Sequence, residues 1–176
     1  MFNAKKNGFT LLELIIVMAL TLVILGMVFQ MLNTNTRIMS DVNVKSTLQS
    51  DGQAIQEKLS KIGMQAISIE CNGEKDVDLL TINSLNESGE KCKFEVGKEK
   101  NENKKLYIGE YEADNDDGNK SLKIKKVFTD NLKEINVLQA QDHKSAEIEI
   151  ILSKKKGYSY ITYPVNIKFT FRNKEN

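Results

Sequence analysis

The stretch Lys5-Lys6-Asn7-Gly8-Phe9-Thr10-Leu11-Leu12-Glu13 is followed by sixteen uncharged residues, Leu14 to Phe29. A carboxylate at the mouth of a greasy helix is costly in a bilayer, about 2.5–3.5 kcal/mol at the centre and less near an end. A lone Glu13 could reach the headgroups, which accounts for tolerance but not for the residues around it. Cutting the chain between Gly8 and Phe9 would create an amine four residues before Glu13. That spacing is one helical turn, so amine and carboxylate would lie on one face. The carboxylate could pair with that amine or with the amine of a neighbouring helix. In low dielectric such a pair offsets much of the desolvation cost and sets the axial register between subunits.

Elsewhere the chemistry is thin. The single histidine, His143, lies in a polar run without a nucleophile signature, so no Ser-His-Asp or Cys-His arrangement can be built and the chain is expected not to be an enzyme. Asp114-Asn115-Asp116-Asp117-Gly118 loosely resembles a calcium loop but lacks the later bidentate Glu, and reads better as a hydrated turn. Neither a metal nor any other cofactor is expected. Cys71 and Cys92 are the two cysteines. In an exported domain they could form a disulfide closing a loop of about 20 residues, worth roughly 3 kcal/mol in the chain-entropy model. Two buried thiols are the other reading. The basic clusters Lys98 to Lys105 and Lys154 to Lys156 could brush DNA or another anionic surface, although a solvated turn is the usual meaning.

The elements that must position Glu13 follow from hydropathy and charge. Phe9 to Phe29 is 21 residues, which as a helix spans roughly 31 Å, a hydrocarbon core's thickness. The run is longer than a secretory h-region, and no small-x-small exit site follows at Gln30 to Thr36. Lys5 and Lys6 precede it, which places the N-terminus in the cytoplasm and everything after Gln30 outside. The 176 residues leave room for one soluble domain, and 25 basic against 24 acidic residues exclude a global field that favours nucleic acid. With 28% charged and 40% hydrophobic residues the domain is a folded one.

Beyond the apolar run, apolar residues recur at Ile38, Val42, Leu48, Ile55, Leu59, Ile62, Ala66 and Ile69, and from Leu48 onward, with Gly52 filling a slot, they lay a stripe on one helix face. One helix of roughly 55–60 residues is expected, with a weak point at Asn33-Thr34-Asn35-Thr36. After Ile69 the period becomes two, predicting strands at Asp78–Ser84, Lys91–Val96, Lys104–Ala113, Ser121–Val127, Glu147–Leu152 and Tyr158–Arg172. Pro164 lacks an N–H, so the last strand should be an edge or carry a bulge. Thr129 to Val137 reads as a short helix or a loop joining two halves of the sheet. The fold class is α+β: a long N-terminal helix, transmembrane in its first half, packed by its second half on an antiparallel sheet.

The leader, the Gly8-Phe9 junction, Thr10-Leu11-Leu12-Glu13 and the apolar helix together resemble the N-terminal motif of type IV pilins and type II secretion pseudopilins. The resemblance implies cleavage by a prepilin peptidase after Gly8, guided by the Lys5 and Lys6 leader, and N-methylation of Phe9. It further implies assembly with other pilins or pseudopilins in the membrane through Glu13, and hence an extracellular filament or cell-surface position. The late segment Ala146-Glu147-Ile148-Glu149-Ile150-Ile151-Leu152 resembles the minor pilins and J-like pseudopilins. Many major pilins carry a proline in the apolar helix, whereas Pro164 is the first here. That departure favours a minor subunit, and the presence of Glu13 argues against a terminal tip subunit. The expected organisation is a leader at 1–8, a membrane and assembly helix at 9–36, and an exported domain at 37–176. Direct DNA binding through the Lys-rich turns, or a plain anchored sensor or enzyme domain, are the alternatives.

Overall fold

A computed structural model describes residues 9–85, 89–99, 102–112, 122–139, 145–157 and 159–171, with the side chains of 102, 103, 112, 122 and 123 left aside. Helix α1 runs from Leu11 to Met64, 54 residues without a proline. It is continuous through Asn33–Thr36, the expected weak point. There the Thr34 and Thr36 hydroxyls donate to the carbonyls of Gln30 and Leu32 at 3.0 and 2.9 Å, so the competing polar groups are absorbed by the helix itself. The chain divides into two units, Met1–Val42 and Asn43–Asn176.

The helix stops five residues short of the expected Ile69, at Met64, and residues 66–71 form strand β1 (Ala66–Cys71) instead. Ile62, Ala66 and Ile69 fit a helical stripe, but Ile67 and Ile69 alternate with Ser68 and Glu70 just after Gly63. β-Branched residues following a glycine favour the strand. β2 (Leu79–Leu85), β3 (Lys91–Glu99), β4 (Glu102–Glu112) and β5 (Leu122–Thr129) complete a five-stranded antiparallel meander in the order β1-β2-β3-β4-β5. β6 (Leu132–Gln139), β7 (Ser145–Lys156) and β8 (Ser159–Thr170) form a second, three-stranded antiparallel sheet.

Two sheets thus replace the single one expected, and the segment read as a helix or loop at Thr129 to Val137 supplies β6. A bulge between Leu132 and Glu134 breaks the alternation, leaving buried Leu132, Ile135 and Val137 at uneven spacing. Pro164 sits where its missing N–H is harmless: β8 is an edge strand, and the proline is exposed opposite Ile151.

Within the second unit, Val44, Leu48, Gly52, Ile55, Leu59 and Ile62 bury one face of the helix. They share a core with Leu80 and Ile82 of β2, Val96 of β3, Leu106 and Ile108 of β4, and the inward residues of β6 to β8. Two glycines let β8 approach. A Cβ on Gly52 would lie 2.8 Å from the Tyr163 ring, and one on Gly63 would lie 2.7 Å from the Phe169 ring. Polar ties reinforce the packing. Thr129 Oγ1 donates to the Asp51 carboxylate at 2.7 Å, Asn131 Nδ2 reaches the same oxygen at 3.3 Å, and the Ser84 hydroxyl donates to the Ile62 carbonyl at 3.2 Å.

The β1–β2 connection fastens one sheet to the other. Val77 N–H donates to the Ile135 carbonyl and Val137 N–H to the Glu74 carbonyl, both at 2.8 Å, covering the outer edge of β6. Lys98 Nζ holds this connection through Asp76 at 2.7 Å and Asp78 at 3.1 Å, with its own side chain only 10% exposed. Burial alone would lower the Lys98 pKa, but its bonds to the two carboxylates and their charge outweigh that and raise it. On β4, burial first and then the bond to the Glu95 carboxylate push Tyr111 up to about 12.

Both groups are held in their protonated forms. Their contribution is complete below the unfolded values, near pH 10, and is lost as pH climbs through the raised folded values. The urea midpoint should therefore stay level from about pH 7 to 9 and fall above about pH 10. Lys98→Met should lower the midpoint at neutral pH and flatten that fall; an unchanged alkaline slope would contradict the assignment.

Candidate functional site

Phe9 and Thr10 precede the helix, and Thr10 caps it. Glu13 N–H donates to Thr10 Oγ1 at 3.3 Å, and Leu14 N–H donates to the Thr10 carbonyl at 3.2 Å. The sequence reading placed Thr10 in the motif but gave it no capping role, although Thr-x-x-Glu is the signature of a capping box and marks it. Glu13, in the first turn and exposed, also lies where the helix dipole favours a negative charge. Because the helix begins at Leu11, Phe9 lies outside it. The shared helical face expected for a Phe9 amine and Glu13 is therefore not supplied by helix geometry. Gly8, Lys5 and Lys6 lie outside the described residues, as do His143 and the Asp114–Gly118 run.

From Leu11 to Leu32 the large apolar side chains are between 47% and 78% exposed, and Phe9 is 82% exposed. The helix is apolar all round in this stretch and long enough to cross a membrane, with none of it buried by the protein's own fold. Such a surface calls for lipid or like helices around it. Its interior hydroxyl is satisfied, since Thr21 Oγ1 donates to the Val17 carbonyl at 2.8 Å.

The cysteine expectation needs correction: neither Cys71 nor Cys92 is in a disulfide. Cys71 stands opposite Leu80 and Cys92 opposite Ser84, on either side of β2 and four residues apart along it. Two strand spacings of about 4.8 Å and four residues of about 3.3 Å hold their Cα atoms far beyond bridging range. Cys92 is buried, its Sγ donating to the Ser84 carbonyl at 3.5 Å. Burial pushes the Cys71 thiol pKa up and the Glu74 charge adds to this, against a bond from the Gly73 N–H. Sequence spacing carried no information about strand register, so the pairing was not decidable from it.

Residues 3–29 match a family model described as the prokaryotic N-terminal methylation motif. No curated protein and no solved structure matches the chain. The match spans Lys5, Lys6, the Gly8-Phe9 junction, Glu13 and the apolar run to Phe29. The chain thus carries a type IV pilin-like prepilin motif on a long apolar helix, joined to an α+β unit. A motif of this kind implies processing by prepilin peptidase and association with other pilins and the membrane, and the apolar helix fits membrane anchoring.

Proposed function

We propose that this protein is a minor pilin or pseudopilin: a non-catalytic structural subunit of a type IV pilus or a related secretion or competence filament. The observation that carries the reading is the methylation motif, residues 3–29, placed on a helix whose apolar surface its own fold leaves uncovered. In this reading residues 1–8 are removed and Phe9 becomes the methylated N-terminus. Residues 9–36 anchor and then assemble, and 37–176 form the exported domain. Glu13 neutralises the new ammonium of a neighbouring subunit within the packed helices, where an unpaired charge would cost several kcal/mol. The absence of a proline before Pro164 supports a minor rather than a major subunit.

Intact-mass and N-terminal peptide analysis of membrane-extracted protein tests this directly. The expected chain begins at N-methylated Phe9. Recovery of Met1 on the mature protein would reduce it to a plain anchored domain.

A further inference from the structure

Two groups of Thr10 face the first turn of the helix. The hydroxyl accepts from Glu13 N–H at 3.3 Å, and the carbonyl accepts from Leu14 N–H at 3.2 Å. The Leu14 bond is an ordinary helical one, reaching four residues back. In a helix that began further upstream, Glu13 N–H would make the same kind of bond to the Phe9 carbonyl. The Thr10 hydroxyl and the Phe9 carbonyl therefore compete for a single donor. The hydroxyl holds it: the helix begins at Leu11, and Phe9 stays outside, 82% exposed.

Without that hydroxyl, the way for Glu13 N–H to keep a partner inside the chain is to draw Phe9 into the helix. Apolar surroundings strengthen that pull, because a bare amide donor is heavily penalised there. The sequence offers a start for such an extension. Asn7 is a strong N-cap type, and a helix capped by it would take Gly8, Phe9 and residue 10 as its first turn. Gly8, a poor helix former, opposes the extension and so acts in the same direction as Thr10. The outcome matters because a peptide bound extended pairs with its partner through free backbone N–H and C=O groups. Cleavage of a segment that opens and closes rapidly follows the population of its open form.

We infer that Thr10 is a positioning residue for cleavage at the Gly8-Phe9 junction. By occupying Glu13 N–H it stops the helix from growing upstream and leaves the junction in open chain, where a peptidase can grip it. The inference rests on the prepilin reading of that junction. It gives Thr10 a task separate from that of Glu13, whose carboxylate acts after the cut.

The test uses the full precursor in nanodiscs, incubated with purified prepilin peptidase and followed by intact mass. Cα chemical shifts of Phe9 in the uncut precursor report where the helix starts. A wild-type chain left uncut after Gly8 would count against the prepilin reading and not against the role of Thr10. With the wild type cut, Thr10→Ala should move the Phe9 shift to a helical value and slow cleavage by at least about threefold. That is a delay and not a block, so the variant still ends as mature chain. Thr10→Ser should match the wild type in both readouts. Adding Leu11→Pro to Thr10→Ala should restore a non-helical Phe9 and a rate within about twofold of the wild type. Proline at the first helical position fixes the start there and disfavours helical backbone in the residue before it. An unchanged rate in Thr10→Ala would overturn the inference. So would slow cleavage with Phe9 still non-helical, or slow cleavage that the proline does not relieve; either would make Thr10 a side chain that the peptidase reads directly.

Discussion

Replacing Glu13 by Ala is expected to leave membrane insertion intact and to cut incorporation into filaments by at least about a hundredfold. Insertion should if anything improve, because a carboxylate near a bilayer is a cost of up to about 3 kcal/mol and Ala removes it. Incorporation should fail because each methylated Phe9 ammonium would then enter the helix bundle without a counter-charge. An uncompensated buried charge costs about 3–5 kcal/mol, and each 1.4 kcal/mol is about tenfold in equilibrium. The capping geometry supplies a control. Gln at the third helical position preserves a capping box as well as Glu does, so Glu13→Gln keeps the helix start while deleting the charge. Quantitative immunoblots of sheared filaments and of membranes should show Glu13→Gln failing as Glu13→Ala does. Thr10→Ala removes the cap alone, worth about 1 kcal/mol, and should assemble far better than either. If Glu13→Gln assembles normally, Glu13 acts as a cap and the ion-pair account is wrong.

The second large effect lies in the core. Gly63→Val should destabilise the folded unit by about 3 kcal/mol, since a Cβ there would meet the Phe169 Cγ and Cδ1 atoms at 2.7 Å. Those atoms are the fixed end of a ring that is only 8% exposed and stacks edge-on with Phe171 at 5.7 Å, so it cannot simply swing aside. Gly63→Ala should cost less, because the same clash is partly offset by a gain of about 1 kcal/mol in helix propensity. Denaturant unfolding of the full chain in detergent, followed by circular dichroism, reads both. Combining Gly63→Ala with Phe169→Leu should give a coupling of at least about 1 kcal/mol in the relieving direction. Gly26 supplies the contrast: nothing lies within 4 Å of its Cβ position, so Gly26→Ala should leave the unit's stability unchanged. Strictly additive losses at Gly63 and Phe169 would mean that the helix and β8 do not depend on that close approach.

Local signals carried much of this protein. The uncharged run from Leu14 to Phe29 announced its helix because nothing but a chain-internal hydrogen-bond ladder satisfies a backbone among apolar surroundings. The stripe through Leu48, Ile55, Leu59 and Ile62 and the strict alternation from Ile161 to Phe171 were readable because one buried face imposes its period on the side chains. Pro164, through its missing donor, called for an edge strand or a bulge, and the strand is an edge. β1 and β6 escaped for different reasons. In β1, Ala66 and Ile69 keep the helical spacing of three, and a register shift between Ala66 and Ser68 lets both be buried in a strand; in β6 a bulge at Leu132–Glu134 erases the alternation.

What the sequence by itself determined is the N-terminal motif, because a Gly-Phe junction, a carboxylate four residues on and an apolar run are matters of covalent order and local spacing. It likewise determined the α+β class. Tertiary structure alone decided the division into two sheets and the separation of Cys71 from Cys92. Each of these depends on strand register and on which strand lies beside which. Register and neighbour order depend on how faces distant in sequence pack together, and no nearest-neighbour pattern along the chain records that choice.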